Sequence, residues 1–194
     1  MRFAFLFFAA LGLCGCVNAG APQTKLPVNA PIISVSSEQS EKFGALAALA
    51  GTRWYAVPAE GASEKVGDLQ HWYWEFGGTV LAQRHALEDG SYGGVTYIYP
   101  NTTSGELDFV YITSGGFHTS GAFSLNEDGS WTALEDVAGH ETITQVRSMG
   151  RIDPDGTLQT RSEYLQSGKW VPGLAFSGAP TDRLVPAINT GNDD

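Results

Sequence analysis

The chain has 194 residues, a length that favours a single domain. It carries 11 basic and 21 acidic residues, for a formal net charge of −10 at pH 7. No basic patch of the kind that a nucleic-acid-binding protein requires is visible, and the acidic balance disfavours anionic lipid headgroups as partners.

Residues 1–19 have the pattern of a signal peptide, with Arg2 followed by the apolar run Phe3–Leu13. The run is shorter than the roughly 20 residues that a membrane span needs. Two processing sites are open. The sequence "LCGC" resembles a bacterial lipobox and predicts lipidation of Cys16 in an outer-membrane lipoprotein facing the periplasm. Cleavage after Ala19, at "VNA", predicts a protein secreted or free in the periplasm instead.

The rest of the chain divides into three parts by composition. Residues 20–36 contain three prolines and few large side chains, which predicts an extended tether. Residues 37–179 form the predicted domain, which has no cysteine and therefore no disulfide. Residues 180–194 are predicted to be a disordered or loosely packed tail.

A short amphipathic helix is predicted at the start of the domain. Ser36 and Gln39 have the spacing of a capping box, and Gly51 is a suitable C-terminal stop. Between them, apolar residues recur at helical spacing, namely Phe43, Leu46 and Leu49.

After Gly51 the apolar period changes from helical to alternating, and turns such as "DGS", "TSG" and "PDG" recur at short intervals. About ten strands result, nearly all joined by tight turns. The sequence therefore predicts an all-β, up-and-down antiparallel barrel whose N-terminal helix plugs one end. A two-sheet sandwich is the alternative, although sandwiches usually need longer connections. We expect a monomer.

Two stretches resemble a known class of barrel. "LAGTRWY" is similar to the lipocalin opening signature, with one additional residue after the glycine, and lipocalin-type barrels begin with a helix and a Trp-bearing first strand. "YWEFGGTVLAQRHALEDGSYGGVTYIYP" resembles lipocalin-like bacterial barrels of unknown function. The resemblance covers roughly residues 44–178 and implies a fold rather than an activity.

Alternation within each strand gives a predicted lining for the barrel. The aromatic strand "HWYWEF" places Trp72, Trp74 and Phe76 on one face, which we expect to be core. The polar candidates for contact with a ligand are Gln145 and Arg147, His85, and the tyrosines Tyr97, Tyr111 and Tyr164. A largely apolar pocket with a few placed polar groups is the usual form of a small-molecule site.

Arg147 is the most specific of these candidates. An inward guanidinium needs an anion, so the sequence predicts a ligand carboxylate or phosphate there. Pairing with Glu75, Glu135 or Glu163 is an alternative, as is an outward Arg147 with Val146 inside.

No metal or cofactor is predicted. The four histidines, His71, His85, His118 and His140, form no metal-binding motif, and no thiol remains in the domain to assist them.

Three functions stay open at this level. The first is a barrel that holds a hydrophobic or amphipathic small molecule, which is anionic if Arg147 binds it. The second is a lyase, cyclase or isomerase with His85 as the proton-transfer group and Arg147 or a tyrosine as the stabiliser of negative charge. The third is a structural envelope lipoprotein without a ligand.

The lipobox predicts that Cys16→Ser moves the protein from the membrane fraction to the soluble fraction. Cell fractionation with an antibody measures this, and mass spectrometry of the mature N-terminus is the control. A wild-type N-terminus at Gly20 would contradict lipidation.

Overall fold

The computed structural model describes residues 35–60 and 65–189, in which ten antiparallel strands close into a barrel. Each strand pairs with its neighbours in chain order, and the first pairs with the last. The strands are β1 (Arg53–Pro58), β2 (Asp68–Glu75), β3 (Val80–Leu87), β4 (Gly93–Pro100), β5 (Leu107–Thr113), β6 (His118–Leu125), β7 (Trp131–Ala138), β8 (Ile143–Ile152), β9 (Leu158–Gln166) and β10 (Lys169–Pro180). The predicted meander is confirmed, and the sandwich alternative is wrong.

The predicted N-terminal helix is split into two short pieces. Helix α1 spans Ser37–Glu41, and a 3-10 turn follows at Gly44–Leu49. The Ser36 hydroxyl accepts a hydrogen bond from the backbone N–H of Gln39 at 3.3 Å, as the capping pattern predicts. Burial, rather than helix propensity, stabilises the 3-10 turn, because its inward side chains, Leu46 and Leu49, are fully buried.

The 3-10 turn covers one end of the barrel. The Phe43 ring packs edge-on against Trp74, with 4.9 Å between ring centroids. Thr52 connects the turn to β1, because its hydroxyl donates to the Leu49 carbonyl and accepts from the Trp54 indole N–H at 2.7 Å. Trp54 is only 4% exposed. The small helix and the tryptophan at the start of β1 therefore form one apolar plug.

Phe76 was predicted to lie in the core, but it lies on the surface. Strand β2 ends at Glu75, and the chain then turns through Phe76, Gly77 and Gly78, all at positive φ. The double glycine makes the predicted tight bend, and the bend turns Phe76 out so that it is 73% exposed.

Residues 181–189 continue from β10 without regular secondary structure and lie against the outside of the barrel. The Arg183 guanidinium pairs with Glu88 at 2.5 Å and lies 4.5 Å from the centre of the Tyr55 ring. Asn189 donates through its backbone N–H to the Gly90 carbonyl at 2.9 Å and through its side chain to the Asp89 carbonyl at 2.8 Å. The segment is thus attached to the turn between β3 and β4.

The predicted signal peptide, Cys16 and the tether up to residue 34 lie outside the described residues. Within the described residues, no helix has both the length and the apolar character to cross a bilayer.

Removal of the Trp54 ring is expected to destabilise the barrel strongly. Trp54→Ala should lower the free energy of unfolding by about 3–5 kcal/mol, the range for a large buried aromatic side chain. Urea denaturation followed by circular dichroism measures this change.

Trp170→Ala is the matched control for that variant. Trp170 lies half-buried on β10, where the Arg147 guanidinium stacks over its ring at 4.5 Å. Its loss should cost about 1 kcal/mol. Equal losses in the two variants would show that Trp54 is no more important than a surface ring.

Candidate functional site

The interior of the barrel is divided into an apolar end and a polar end. Beneath the 3-10 turn the buried side chains are apolar and include Trp54, Trp72, Leu81, Ile98, Leu107, Phe109, Trp131 and Leu158. Further along the same inward faces, away from the turn, the side chains become polar. We call this second region the polar end and define it by Asp68, Gln70, His85, Tyr111 and Glu135.

A chain of hydrogen bonds runs across the polar end between β2, β3 and β5. The Asp68 carboxylate lies 2.8 Å from His85 Nδ1, and His85 Nε2 lies 2.7 Å from the Tyr111 hydroxyl. The Tyr111 hydroxyl is in turn 3.0 Å from the hydroxyl of Tyr92, which precedes β4. The described part of the chain contains no buried side-chain polar atom without a partner, so the network is fully satisfied.

The second oxygen of Asp68 is also occupied. Gln70 donates its amide N–H to that oxygen at 2.9 Å, and the Trp72 indole N–H donates to the Gln70 carbonyl at 3.3 Å. Asp68 is only 5% exposed, and these two bonds fix its orientation toward His85.

The partners determine where the protons lie. A carboxylate only accepts, so His85 Nδ1 carries a proton and donates it to Asp68. In the neutral imidazole Nε2 is then an acceptor, the Tyr111 O–H donates to it, and Tyr92 donates to Tyr111.

Tyr111 is held in its neutral form. Burial raises the pKa of its hydroxyl far above the usual value, and the nearby Tyr92 and the charges of Asp68 and Glu135 raise it further. The pKa of Tyr92 is also raised, mainly by burial. Both hydroxyls are therefore hydrogen-bond donors rather than anions at any physiological pH.

Glu135 on β7 supplies a second carboxyl group to the interior. It is 9% exposed and accepts a hydrogen bond from the Thr119 hydroxyl, which is also buried. Burial raises the pKa of Glu135, although its hydrogen bonds with Thr119 and Ser148 oppose the rise. Asp68 and Glu135 thus lie in different surroundings, because Asp68 is bonded to a histidine whereas the hydrogen bonds of Glu135 come from hydroxyl groups.

Three of the predicted ligand-contact residues face the interior. His85 and Tyr111 are in direct contact, as described above. Tyr164 lies on the inward face of β9, in register with Val146 and close enough to Tyr92 to raise the pKa of that tyrosine. The predicted inward faces of β3, β5 and β9 are therefore the observed ones.

The predicted face of β4 is wrong, and Tyr97 lies outside. Gly94 pairs with His85 on the inward face, where a side chain would collide with the Tyr111 ring, since a Cβ there would be 2.5 Å from Tyr111 Cε2. The alternation then places Thr96 and Ile98 inside and Tyr97 outside.

The predicted face of β8 is also wrong. Gly150 pairs with the buried Trp131 and lies on the inward face of β8. A Cβ at this position would lie 2.5 Å from the Trp131 ring, so the position requires glycine. Val146 and Ser148 therefore share the interior, whereas Gln145 and Arg147 lie outside. Gln145 donates to Asp136 at 2.8 Å.

Arg147 consequently cannot serve as the interior anchor for an anionic ligand. Its guanidinium pairs with Glu163 at 2.5 Å, stacks on Trp170, and leaves the side chain 49% exposed. Both alternatives that the sequence left open are observed, since Arg147 pairs with Glu163 and points outward while Val146 lies inside.

Sequence reasoning missed Asp68, Gln70 and Glu135 of the polar end, together with Tyr92, which bonds to Tyr111. Glu135 is named from the sequence only as an ion-pair partner of Arg147, and the other three are not named. A signal was present for Asp68 and Glu135, because each shares one face of its strand with a core tryptophan. Asp68, Gln70 and Trp72 occupy every second position of β2, and Trp131, Ala133 and Glu135 do so in β7. Tyr92 had no such signal, because it enters the site from a turn.

The described residues contain no group of three or more histidine, cysteine or acidic side chains placed to hold a metal ion. Comparison of the sequence with protein-family models gives no match, and neither does comparison with curated proteins. The geometry of the barrel therefore carries the functional argument.

The raised pKa of Glu135 predicts a pH-dependent contribution to stability. A folded carboxyl with a raised pKa binds more protons than the unfolded one, so the stability that it contributes is present below its ordinary pKa of 4.5 and is lost as pH rises through the folded value. The loss is about 1.4 kcal/mol for each unit by which the pKa is raised.

Glu135→Gln removes this titration. The free energy of unfolding of the variant should therefore rise relative to that of wild type as pH increases from 4 to neutral. Urea denaturation at a series of pH values measures the difference. Glu163→Gln on the outer face is the opposite-sign control, because the hydrogen bond from Arg147 lowers the pKa of Glu163 and its loss should cost stability as pH rises. A wild-type-minus-variant difference that is flat with pH would contradict the assignment.

Proposed function

We propose that this protein is an exported, lipocalin-like barrel that binds a small hydrophobic or amphipathic molecule at its polar end, where His85 and Tyr111 contact the polar head of the ligand. The closed ten-strand barrel and its N-terminal plug support the lipocalin-like interpretation. The signal-peptide pattern and "LCGC" support a periplasm-facing location, with attachment to the membrane through Cys16.

The single observation that carries the proposal is the chain Asp68–His85–Tyr111–Tyr92 inside the barrel. A barrel that serves only as a structural element is most simply filled with apolar side chains, because a buried ionisable group contributes little to stability even when it is paired. Groups with shifted pKa values concentrate at functional sites. In this proposal the body of the ligand would lie against the apolar end, and its head would exchange hydrogen bonds with the chain.

The charge of the interior restricts the head group. Asp68 and Glu135 are inside, whereas every lysine and arginine among the described residues is exposed or lies on the outer face. With Arg147 on the outside, no interior cation supports an anionic ligand. The proposed ligand therefore carries an uncharged or cationic head, such as a hydroxyl, an amide or an amine.

Decanol, decylamine and decanoate test this proposal, because they share one apolar chain and differ only in the head group. Isothermal titration calorimetry should show binding of decanol or decylamine that Tyr111→Phe and His85→Gln each weaken about tenfold, the effect of one lost hydrogen bond of about 1.4 kcal/mol. Tyr97→Phe, on the outer face, is the matched control and should leave these affinities unchanged.

Two results would overturn the proposal. Failure of both decanol and decylamine to bind the folded protein would favour a structural envelope protein. Binding that Tyr111→Phe and His85→Gln leave unaltered would place the ligand elsewhere. Native mass spectrometry of the protein purified from its own host checks independently for a retained molecule.

General acid–base catalysis is the second candidate function, and the Asp68–His85 pair favours it. Asp68 orients the imidazole, while the neutral Tyr111 can donate to an oxygen that gains negative charge. A lyase, cyclase or isomerase of this kind would use His85 and Tyr111, without Arg147. Conversion of a retained molecule by wild type but not by His85→Gln would distinguish catalysis from binding alone.

A further inference from the structure

A row of basic side chains crosses the outer face of the barrel. Arg53 on β1 pairs in register with His71 on β2, and His71 pairs with Arg84 on β3. The row continues from Arg84 to Val95 on β4 and then to Ile112 on β5. Side chains directly opposite each other on neighbouring strands lie about 5 Å apart. Two arginines therefore flank one histidine on a protein whose net charge is −10.

This arrangement is not neutralised within the described residues. They place no carboxylate within the 4.0 Å of an ion pair from either Arg53 or Arg84. By contrast, Arg147, Arg151 and Arg183 each have a carboxylate oxygen at 2.5–2.7 Å.

Like charges opposite each other destabilise a sheet. Burial and the charge of Arg53 accordingly lower the pKa of His71, which keeps that ring neutral. An acidic protein thus retains, on this face, two arginines that form no ion pair with a carboxylate of the described residues.

A groove of about 240 Å³ opens beside Arg84. It is lined by Arg84, Val95, Tyr97, Ile112, Ser114 and Ile188, and by His85, Gly93 and Gly94 where β3 pairs with β4. Ile112 is 54% exposed, so one wall of the groove presents apolar surface to solvent. Ile188 belongs to the segment that follows β10, which means that this segment completes the groove. We call this region the outer groove.

We propose that the outer groove binds a small amphipathic anion, with its carboxylate or phosphate on the Arg84 guanidinium and its apolar body along Val95, Ile112 and Ile188. A guanidinium donates two parallel hydrogen bonds to a carboxylate or a phosphate, and this geometry favours such head groups over a halide. The volume is below the range for a drug-sized ligand, so the body is short or extends into solvent. The anchoring Arg84 side chain lies on the outer face of β3, whereas the His85 side chain bonds Asp68 and Tyr111 inside the barrel.

Calorimetry with decanoate and decyl phosphate tests the outer groove, with decanol as the uncharged comparison. Arg84→Gln should weaken the binding of both anions at least tenfold, and Arg84→Lys should weaken it less, since a point charge keeps the attraction but loses the planar fork. Arg151→Gln is the matched control, because Arg151 is also exposed but pairs with Asp153. That control should leave the affinity for both anions unchanged.

The same measurements separate this proposal from the one for the polar end. Decanoate should respond to Arg84→Gln and not to Tyr111→Phe, whereas decanol should respond in the opposite way. Acetate and inorganic phosphate, which have the head but not the body, should bind at least tenfold more weakly than decanoate and decyl phosphate.

Three results would overturn the outer-groove site. Decanoate affinity that is unchanged in Arg84→Gln would remove the anchor. Decanoate affinity that is lost in Tyr111→Phe would place the anion inside the barrel. Inorganic phosphate that binds as tightly as decyl phosphate would show a simple anion site without a role for the apolar wall.

Discussion

The pairing of β1 with β10 is the constraint on which the rest of the structure depends. Five residue pairs, from Trp54 with Pro180 to Pro58 with Phe176, join the two ends of the meander. Closure removes the sheet edges and gives every strand one inward and one outward face. It also turns the inside into a limited volume, so that each large side chain there must be matched by a small one.

Glycines on the inward faces provide that match. Gly94 leaves room for the Tyr111 ring, Gly150 for the Trp131 ring, and Gly173 for Tyr164. A Cβ at any of these positions would lie 2.7 Å or less from an atom of the neighbouring side chain. The positions of the glycines, rather than the polarity of the residues between them, therefore determine which face of β4 and β8 is inside.

Burial also explains how the polar end works as a unit. Low water access raises the pKa of Tyr111 and of Glu135, so the hydroxyl stays neutral and the carboxyl resists ionisation. Asp68 has a histidine partner instead, and its two oxygens are held by His85 and Gln70. The interior consequently holds neutral tyrosine hydroxyls bonded to one oriented imidazole, while the arginines face solvent or the outer groove.

Local patterns in the sequence determined the number and order of the strands, the tight turns, the capped N-terminal segment and the inward faces of β3, β5 and β9. These features depend on residues that are close in the chain, such as Ser36 and Gln39 or the alternating apolar residues of β5. The positions of His85 and Tyr111 in the interior followed from the same alternation.

Only the tertiary structure decided the faces of β4 and β8, and with them the places of Tyr97, Gln145 and Arg147. Alternation gives two sets of residues but does not say which is inside when the interior itself is partly polar. The meeting of Asp68, Tyr92 and Glu135 with His85 and Tyr111 likewise required the closed barrel, because their separation in the chain carries no information about distances across its interior.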